Sequence, residues 1–363
     1  MENGVVNVAS ELFHFGVATH VACLAARGSF ADRLPEPNSV TVLGKREGFS
    51  IAAVLRLAVL IQKLSPDLIH THNLGPLVYA ALATLGGFRR PLLHGEHGQI
   101  QVPDQTPRRL WLRRRLYGCC KVVHTVSQGL KETLSQSGFN HRSLRAIVNG
   151  VDCVRFNVSE DKVAAKAVFE LPPTSIVLGI VGRFVALKRH RLLLDALRTV
   201  MAEFPAVHLL VAGDHGPERD SIVSAMREHP FAAKIHWLGM TNDMAPCYRA
   251  LDLLVVPSEI EGLSNAVLEA MASGVPVLAH GACGNAEAVT HGESGFLHDI
   301  KDAPALVEAL RPLLREPSIL ARASVQARTR ALDHFSIASM ASSYLSLYCE
   351  LARKPVPAHQ PSR

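Results

Sequence analysis

Paired cysteines, a long apolar run and a strong net charge are all missing from this sequence. Its seven cysteines are odd in number and never stand in a Cys-x-x-Cys pair, so neither a disulfide framework nor a cysteine-based metal site is indicated. The chain opens without the basic segment and apolar core of a secretion signal. The most apolar stretch, residues 51–64, is interrupted by Arg56 and Lys63 and is shorter than the ~20 residues that cross a bilayer. These absences predict a cytoplasmic protein with no transmembrane helix.

One basic segment stands out against a net charge of only +6. Its arginines surround Leu110, Trp111, Leu112 and Leu116. Such a helix can bind peripherally to the inner face of the cytoplasmic membrane or hold a phosphorylated acceptor, whereas the simpler alternative is a solvated helix face. Nucleic-acid binding is not expected, because aromatic residues for base stacking do not recur at regular intervals. The arginines of this candidate anionic-surface site are Arg108, Arg109, Arg113, Arg114 and Arg115.

Short apolar runs alternate with helical patterns along the whole chain, which is typical of parallel sheets covered by helices. A chain of 363 residues also exceeds what one hydrophobic core usually serves. We therefore predict an α/β fold of two Rossmann-like, doubly wound domains facing across a cleft. The predicted segments are an N-terminal domain over residues 1–155, a linker over 156–174, a C-terminal domain over 175–335, and a helix crossing back with a loose tail over 336–363.

The first residues depart from this alternation. Val5, Val8, Ala9 and Leu12 recur at helical spacing, so the chain begins inside a helix with no strand before it. In a doubly wound domain the first strand is normally central. We expect the N-terminal domain to lack this strand, and we hypothesise that the reading frame starts further upstream.

Two cations follow the first strand of the C-terminal half. Arg183 and Lys188 come just after the apolar run that ends at Val181, where the carboxyl edge of an open α/β sheet binds ligands. The rigid fork of arginine and the compact charge of lysine together suit a diphosphate. A glycine turn at Gly213-Asp214 follows the next strand. Each feature alone is common in doubly wound folds.

A strand, loop and helix pattern over residues 253–272 carries the strongest signal. Gly262, Leu263, Ser264 and Asn265 would present backbone N–H groups at a helix N-terminus, which is an anion site. Glu261 and Glu269 lie eight positions apart, about 12 Å along a helix. This separation is too large for a carboxylate pair that flanks one bond, so we expect each glutamate to meet a different part of a long ligand such as a sugar nucleotide.

The run from Glu261 to Glu269 resembles the Glu, seven residues, Glu motif of the retaining glycosyltransferases of family four. Further motifs match this family in the same order: Asn149 to Asp152, Gly182-Arg183 with Lys188, Gly213-Asp214 with Gly216 to Glu218, Leu238-Gly239, and Asp252 with Pro257-Ser258. The resemblance covers nearly the whole chain and implies the GT-B fold. It also implies that Arg183 and Lys188 hold the donor diphosphate, Glu269 the ribose hydroxyls, and Glu261 the transferred sugar.

In the N-terminal half, residues 92–98 resemble the acceptor-side histidine segment of the same family. His97 is the histidine we place in the active site. The alternative is zinc bound by His94 and His97, although no cysteine or further histidine nearby completes a ligand set. This segment, followed by the arginine-rich helix, resembles the sugar transferases of bacterial exopolysaccharide clusters.

The resemblance implies a metal-independent, retaining transferase that needs no cofactor. Its co-substrate would be a UDP- or GDP-linked sugar, and its acceptor a glycan or a lipid-linked molecule in polysaccharide or glycoconjugate biosynthesis. Two alternatives stay open because fold alone does not decide reaction. One is a sugar-nucleotide epimerase or phosphorylase of the same architecture, and the other is a truncated or binding-only homologue without turnover.

Overall fold

The computed structural model describes residues 2–85, 90–98, 100, 105–241, 243–259, 262–281 and 284–357. Contacts divide the chain into two units, one made of residues 1–150 and 337–363 and the other of residues 151–336. The boundary thus lies at Gly150, and the segment predicted as a linker belongs to the second unit. The glutamate predicted to act on the transferred sugar, Glu261, lies outside the described residues.

The first unit alternates helices with parallel strands. Its elements are α1 (Glu2–Phe13), β1 (Val21–Cys23), β2 (Val40–Val42), α2 (Ile51–Leu64), β3 (Ile69–His72), α3 (Leu74–Thr84), β4 (Leu92–Glu96), α4 (Pro107–Tyr117), β5 (Val122–Thr125), α5 (Gln128–Gln136), β6 (Leu144–Ala146) and α14 (Ile337–Ala352).

The strands of the first unit form two hydrogen-bonded groups. Strand β1 pairs with β2, and a separate four-stranded sheet has the order β3-β4-β5-β6; every pairing is parallel. No strand precedes α1 in the part of the chain that the structure describes. Helix α14 returns to this unit from the far end of the chain, where it packs against α1 and where Arg145 forms a bidentate pair with Glu350 at 2.7 Å.

The second unit contains a sheet that has more strands and is more deeply buried than the sheets of the first unit. Its elements are α6 (Lys162–Ala167), β7 (Ile176–Val181), α7 (His190–Glu203), β8 (Val207–Ala212), α8 (Arg219–Arg227), β9 (Ile235–Gly239), α9 (Ala245–Ala250), β10 (Leu253–Val256), α10 (Asn265–Ala272), β11 (Val277–His280), α11 (Gly284–Ala288), β12 (Gly295–His298), α12 (Ala303–Arg315) and α13 (Pro317–His334).

The order of these strands positions the candidate site. The sheet is parallel with the order β12-β11-β10-β7-β8-β9, so successive strands run outward from β7 on one side and from β10 on the other. This is the doubly wound order of dinucleotide-binding folds, in which the crevice at the carboxyl ends of the two central strands receives the ligand. Strands β7 and β10 are apolar because helices cover both faces of a parallel sheet.

An ion pair between a buried lysine and a partly exposed aspartate joins α6 to this sheet. The ammonium group of Lys166 lies 3.0 Å from Asp252, whose carboxylate also accepts a hydrogen bond of 2.8 Å from the backbone N–H of Val177. Lys166 is buried, and a buried charge requires such a partner. The segment 156–174 is therefore part of the second unit's packing and not a loose connection.

None of the helices in the described parts of the chain is both long enough and apolar enough to cross a membrane.

Candidate functional site

The loops that follow β7 and β10 are joined at the switch point of the second unit. The backbone N–H of Glu259 donates a hydrogen bond of 3.1 Å to the carbonyl of Leu187. Arg189 also spans the two loops, because its guanidinium lies 3.4 Å from the carboxylate of Glu259. The loop that carries the predicted cations and the loop that leads into α10 thus form one surface at the carboxyl edge of the sheet.

Glycine allows the backbones at this edge to approach one another closely. Gly182 donates a hydrogen bond of 2.9 Å to the carbonyl of Ala212. A Cβ atom on Gly213 would collide with the carbonyl oxygen of Gly182, and φ at Gly213 is +143°, a value that side chains rarely permit. Gly213 therefore brings the loop after β8 against the loop after β7, and a larger residue at this position would force the two loops apart.

The residues predicted to bind the diphosphate, Arg183 and Lys188, both lie in the loop between β7 and α7. Arg183 is exposed. Lys188 folds back over the preceding turn, with its side-chain carbons 3.3 to 3.7 Å from the position that a Cβ on Gly182 would occupy. The structure thus places the Lys188 side chain against Gly182, and Arg183 follows this glycine directly in the chain. A phosphate group could approach the backbone at such a turn.

Asp214 is held by an arginine. Its carboxylate forms an ion pair with Arg219, whose guanidinium lies 5.3 Å from the centre of the Trp237 ring. The indole N–H of Trp237 in turn donates to the carbonyl of Gly213 at 2.8 Å. Asp214 therefore belongs to a side-chain network that supports the glycine turn.

The loop before α10 packs against the start of α11. Leu263 is buried, while Gly262, Ser264 and Asn265 are partly exposed. A Cβ on Gly284 would collide with the carbonyl of Gly262, so this contact too depends on glycine. The side chain of Ser264 makes no capping bond to α10, and the first N–H groups of a helix have no intrahelical acceptors.

Glu269, the predicted ribose ligand, is oriented by a tyrosine that sequence reasoning missed. The hydroxyl of Tyr248 donates a hydrogen bond of 2.9 Å to the Glu269 carboxylate. Tyr248 is fully buried, and burial together with the nearby Glu269 charge raises its pKa well above the ordinary value. The hydroxyl therefore keeps its proton and remains a donor. Its partner is 21 positions away, and no local motif links the two.

In the first unit, His97 follows β4 and is partly exposed. Its Nε2 lies 2.8 Å from Nδ1 of His72, and burial lowers the pKa of His97 to about 4. The sequence analysis did not predict the pairing with His72, because the two histidines lie 25 positions apart and no local motif links them.

His94 does not join His97 in a ligand set. His94 is fully buried and its two ring nitrogens are already bonded, Nδ1 to Thr71 at 2.9 Å and Nε2 to Glu96 at 3.0 Å. Within the described residues, no group of three or more His, Cys, Asp or Glu side chains could hold a metal ion. The zinc alternative on His94 and His97 has no structural basis here.

Only some of the arginines of helix α4 that were predicted to form a charged surface are exposed to solvent. Arg108, Arg109, Arg114 and Arg115 are exposed. The inclusion of Arg113 in the candidate membrane site is wrong: its side chain is buried, and it pairs with Glu96. Arg113 lies on the side of the helix that faces the core, which helical spacing alone did not reveal.

Known families and solved structures match nearly the whole chain. The family model of the Glycosyltransferase Family 4 matches residues 1–155, and the model of the Glycosyl transferases group 1 matches residues 161–330. HepE of Anabaena, solved in complex with UDP and glucose, superposes with a TM-score of 0.83 over 95% of both chains at 22% identity. The sucrose-phosphate synthase of Thermosynechococcus elongatus gives a TM-score of 0.80 over 96% of this chain and 92% of the other, also at 22% identity. These likenesses confirm the predicted GT-B type of α/β fold.

Two curated relatives illustrate the sequence similarity. The lipopolysaccharide core biosynthesis glycosyltransferase LpsE of Rhizobium meliloti is 30% identical over 236 residues, which are 65% of each chain. The D-inositol 3-phosphate glycosyltransferase of Mycolicibacterium smegmatis is 31% identical over 305 residues, 80% of this chain and 64% of the relative. The matched region thus spans slightly less than two thirds of each relative.

Proposed function

The chain belongs to glycosyltransferase family 4, with a glycosyl transferases group 1 region in its second half, and we propose that it transfers a sugar from a nucleotide-sugar donor to a glycan or lipid-linked acceptor. The reaction proposed retains the anomeric configuration and requires no metal ion. LpsE is named for lipopolysaccharide core synthesis, which supports an acceptor of this kind.

The observation that carries the proposal is the packing of the Lys188 side chain against Gly182, next to Arg183 in the loop that follows β7 at the switch point of the sheet. A nucleoside diphosphate leaving group gains negative charge as its bond to the sugar breaks. Two cations beside the diphosphate would stabilise this growing charge. In this proposal they perform the electrostatic role that a metal ion performs in other transferases.

Glu269 would bind the ribose hydroxyls of the donor. A carboxylate accepts hydrogen bonds from two neighbouring hydroxyls, provided that its plane is fixed. The hydrogen bond from Tyr248 at 2.9 Å supplies this restraint. Glu261 would contact the transferred sugar and stabilise its developing positive charge, as the family motif implies.

The proposed chemical step exchanges one bond at the anomeric carbon for another on the same face. The bond from this carbon to the diphosphate oxygen breaks, and the bond to the acceptor oxygen forms. The departing diphosphate oxygen takes the proton of the acceptor hydroxyl, so the products are a glycoside and a nucleoside diphosphate. His97 would contact the acceptor or the transferred sugar, as the resemblance of its segment implies.

The direct test is release of nucleoside diphosphate from UDP-, GDP- and ADP-sugars, with glycan and lipid-linked acceptors present. We expect release from one donor class, unaffected by EDTA, with loss of release in Glu269→Ala. NMR of the product should show the donor's anomeric configuration. Interconversion of the donor without an acceptor would instead indicate an epimerase. Donor binding without release under every condition would indicate a binding-only protein.

We also propose that α4 holds the protein on anionic membranes. Trp111 is 56% exposed and Leu112 39% exposed, and the Arg115 guanidinium lies 5.4 Å from the centre of the Trp111 ring. An apolar patch bordered by arginines suits the interface of an anionic bilayer.

Replacing Arg108 and Arg115 by alanine should weaken co-sedimentation with phosphatidylglycerol vesicles roughly 10- to 30-fold, because each arginine near an anionic surface contributes about 1 kcal/mol. The matched control replaces two other exposed arginines of the first unit, Arg142 and Arg353. Equal loss of binding in both double variants would indicate attraction by net charge alone and would refute a site on α4.

A further inference from the structure

Four imidazole rings meet in the first unit and form what we term the histidine cluster: His70, His72, His97 and His124. They come from β3, from the residue after β4, and from β5. Two direct contacts between ring nitrogens organise the cluster, His70 Nε2 to His124 Nε2 at 2.9 Å and His72 Nδ1 to His97 Nε2 at 2.8 Å. The rings of His70 and His72 also pack together, with their centres 4.1 Å apart.

The cluster lies directly on the backbone of β4. A Cβ atom on Gly95 would lie 2.6 Å from Nε2 of His124 and 3.2 Å from Nδ1 of His72. Real Cβ atoms do not approach other atoms as closely as 2.6 Å, so only glycine leaves room for the rings. Gly95 thus lets two strands present their histidines side by side, next to the position of His97.

The surroundings of His70 and His124 determine which of their ring nitrogens carry protons. The carbonyl of Thr125 can only accept, so His124 donates to it from Nδ1 at 3.5 Å. In a neutral ring its Nε2 must then accept the hydrogen bond from Nε2 of His70. Nδ1 of His70 consequently accepts from the hydroxyl of Tyr348, at 2.8 Å.

Both rings of this pair are therefore satisfied as neutral imidazoles. Burial, reinforced by the neighbouring histidines, lowers the pKa of His70 well below its ordinary value, and burial lowers that of His124 to about 3. Because every nitrogen of His70 and His124 has a partner, the pair forms a fixed support on which the ring of His72 packs.

We propose that His72 is a positioning residue for His97: it fixes the orientation of the His97 ring and selects the nitrogen that carries its proton. One hydrogen atom lies between Nδ1 of His72 and Nε2 of His97, so the two tautomers are linked. The catalytic value of this arrangement rests on the proposed function, in which His97 contacts the acceptor or the transferred sugar. The tautomer itself can be measured without any substrate.

The first measurement uses the unaltered protein labelled with ¹⁵N in its histidines. We expect a scalar coupling between Nδ1 of His72 and Nε2 of His97 across their hydrogen bond, and ring shifts of His97 that indicate a single neutral tautomer from pH 6 to pH 8. The His97 signals are assigned with His97→Gln. Absence of the coupling, or a mixture of His97 tautomers, would overturn the inference whether or not transfer activity is found.

Two substitutions at His72 separate positioning from general stability. Leucine removes the nitrogen, whereas asparagine places a polar atom near the position of Nδ1 and can restore the hydrogen bond. We expect His72→Leu to mix the His97 tautomers and to lower sugar transfer roughly 3- to 10-fold, the usual effect of one hydrogen bond. His72→Asn should recover most of the single His97 tautomer and most of the rate of sugar transfer.

His141→Leu is the matched control, because His141 is another partly buried histidine of this unit with both nitrogens bonded, to Cys120 and Ser143. It should leave the His97 signals unchanged. If His72→Leu leaves the His97 tautomer unchanged, or if His141→Leu changes it equally, His72 has no positioning role. If the wild type releases no nucleoside diphosphate but the NMR results hold, the proposed function fails and the positioning of His97 stands.

Discussion

Arg183→Ala is expected to slow sugar transfer at saturating donor by about 10²- to 10³-fold, the usual effect of removing one preorganised group that stabilises transition-state charge. Arg183 is exposed at the edge where the loops after β7 and β10 meet, so its loss should leave the fold intact. The negative charge on the leaving diphosphate grows as the sugar departs, and the effect should therefore fall mainly on kcat. Initial rates of nucleoside diphosphate release measure it.

Arg183→Lys should lie between the wild type and the alanine variant, because lysine keeps the charge and loses the bidentate fork. The matched control is Arg191→Ala, which removes another exposed arginine of the same unit. The guanidinium of Arg191 donates a hydrogen bond to the side chain of Ser221 in α8. The control should retain normal kcat. An Arg183→Ala variant with normal kcat and only a raised KM would show that Arg183 binds the donor equally well before and during the reaction.

Glu96→Leu should lower the free energy of unfolding by about 3 to 5 kcal/mol, because it leaves a buried arginine without its counter-ion. Arg113 and Glu96 are both about 5% exposed. The Glu96 carboxylate accepts hydrogen bonds from Arg113, from Tyr117 at 2.5 Å and from His94 at 3.0 Å. Urea unfolding of the two proteins measures the difference.

The double variant Glu96→Leu/Arg113→Met provides the control, since removing both charges abolishes the unpaired cation. It should be more stable than Glu96→Leu alone, although Tyr117 and His94 still lose an acceptor. Equal stability of the single and double variants would mean that Arg113 reaches solvent and that the pair is not buried.

The same network makes stability depend on pH. Burial raises the pKa of Glu96, but the hydrogen bond from His94 and the charge of Arg113 outweigh this effect, and the pKa lies below its ordinary 4.5. A carboxyl with a lowered folded-state pKa stabilises the protein above its unfolded-state pKa, and this stabilisation is lost as the pH falls through the folded-state value. The difference in stability between wild type and Glu96→Leu should therefore shrink below about pH 4.5.

Much of the fold could be predicted because it repeats a local pattern. The apolar run of β7 and the amphipathic helix at residues 51–64 are visible in the sequence, and both elements occur there. Strand β12 is not visible in this way, because Gly295–His298 is short and has no strong apolar run of its own. The position of α6 within the second unit was also missed, since its attachment depends on a pair between Lys166 and Asp252, far apart in the chain.

The candidate donor site stays a prediction, and it rests on the same kind of local pattern. Arg183, Lys188 and Glu269 stand in motifs that lie at the ends of strands or at the start of a helix, and a parallel sheet brings such ends to one edge. The sequence could not indicate that Tyr248 orients Glu269, nor that Arg113 turns inward to Glu96. Each of these contacts joins side chains from different elements, and the helix or strand period of one element does not specify its neighbour.

The sequence by itself determined the alternation of strands and helices, the doubly wound class and the family motifs, because backbone periodicity and strand-end residues are encoded locally. Only the tertiary structure decided which side chains meet: the histidines grouped over Gly95, the tyrosine beneath Glu269, and the arginine of α4 that is buried and not exposed. Protonation states and buried ion pairs depend on burial and on partners brought together by packing, and these arise only when the chain has folded.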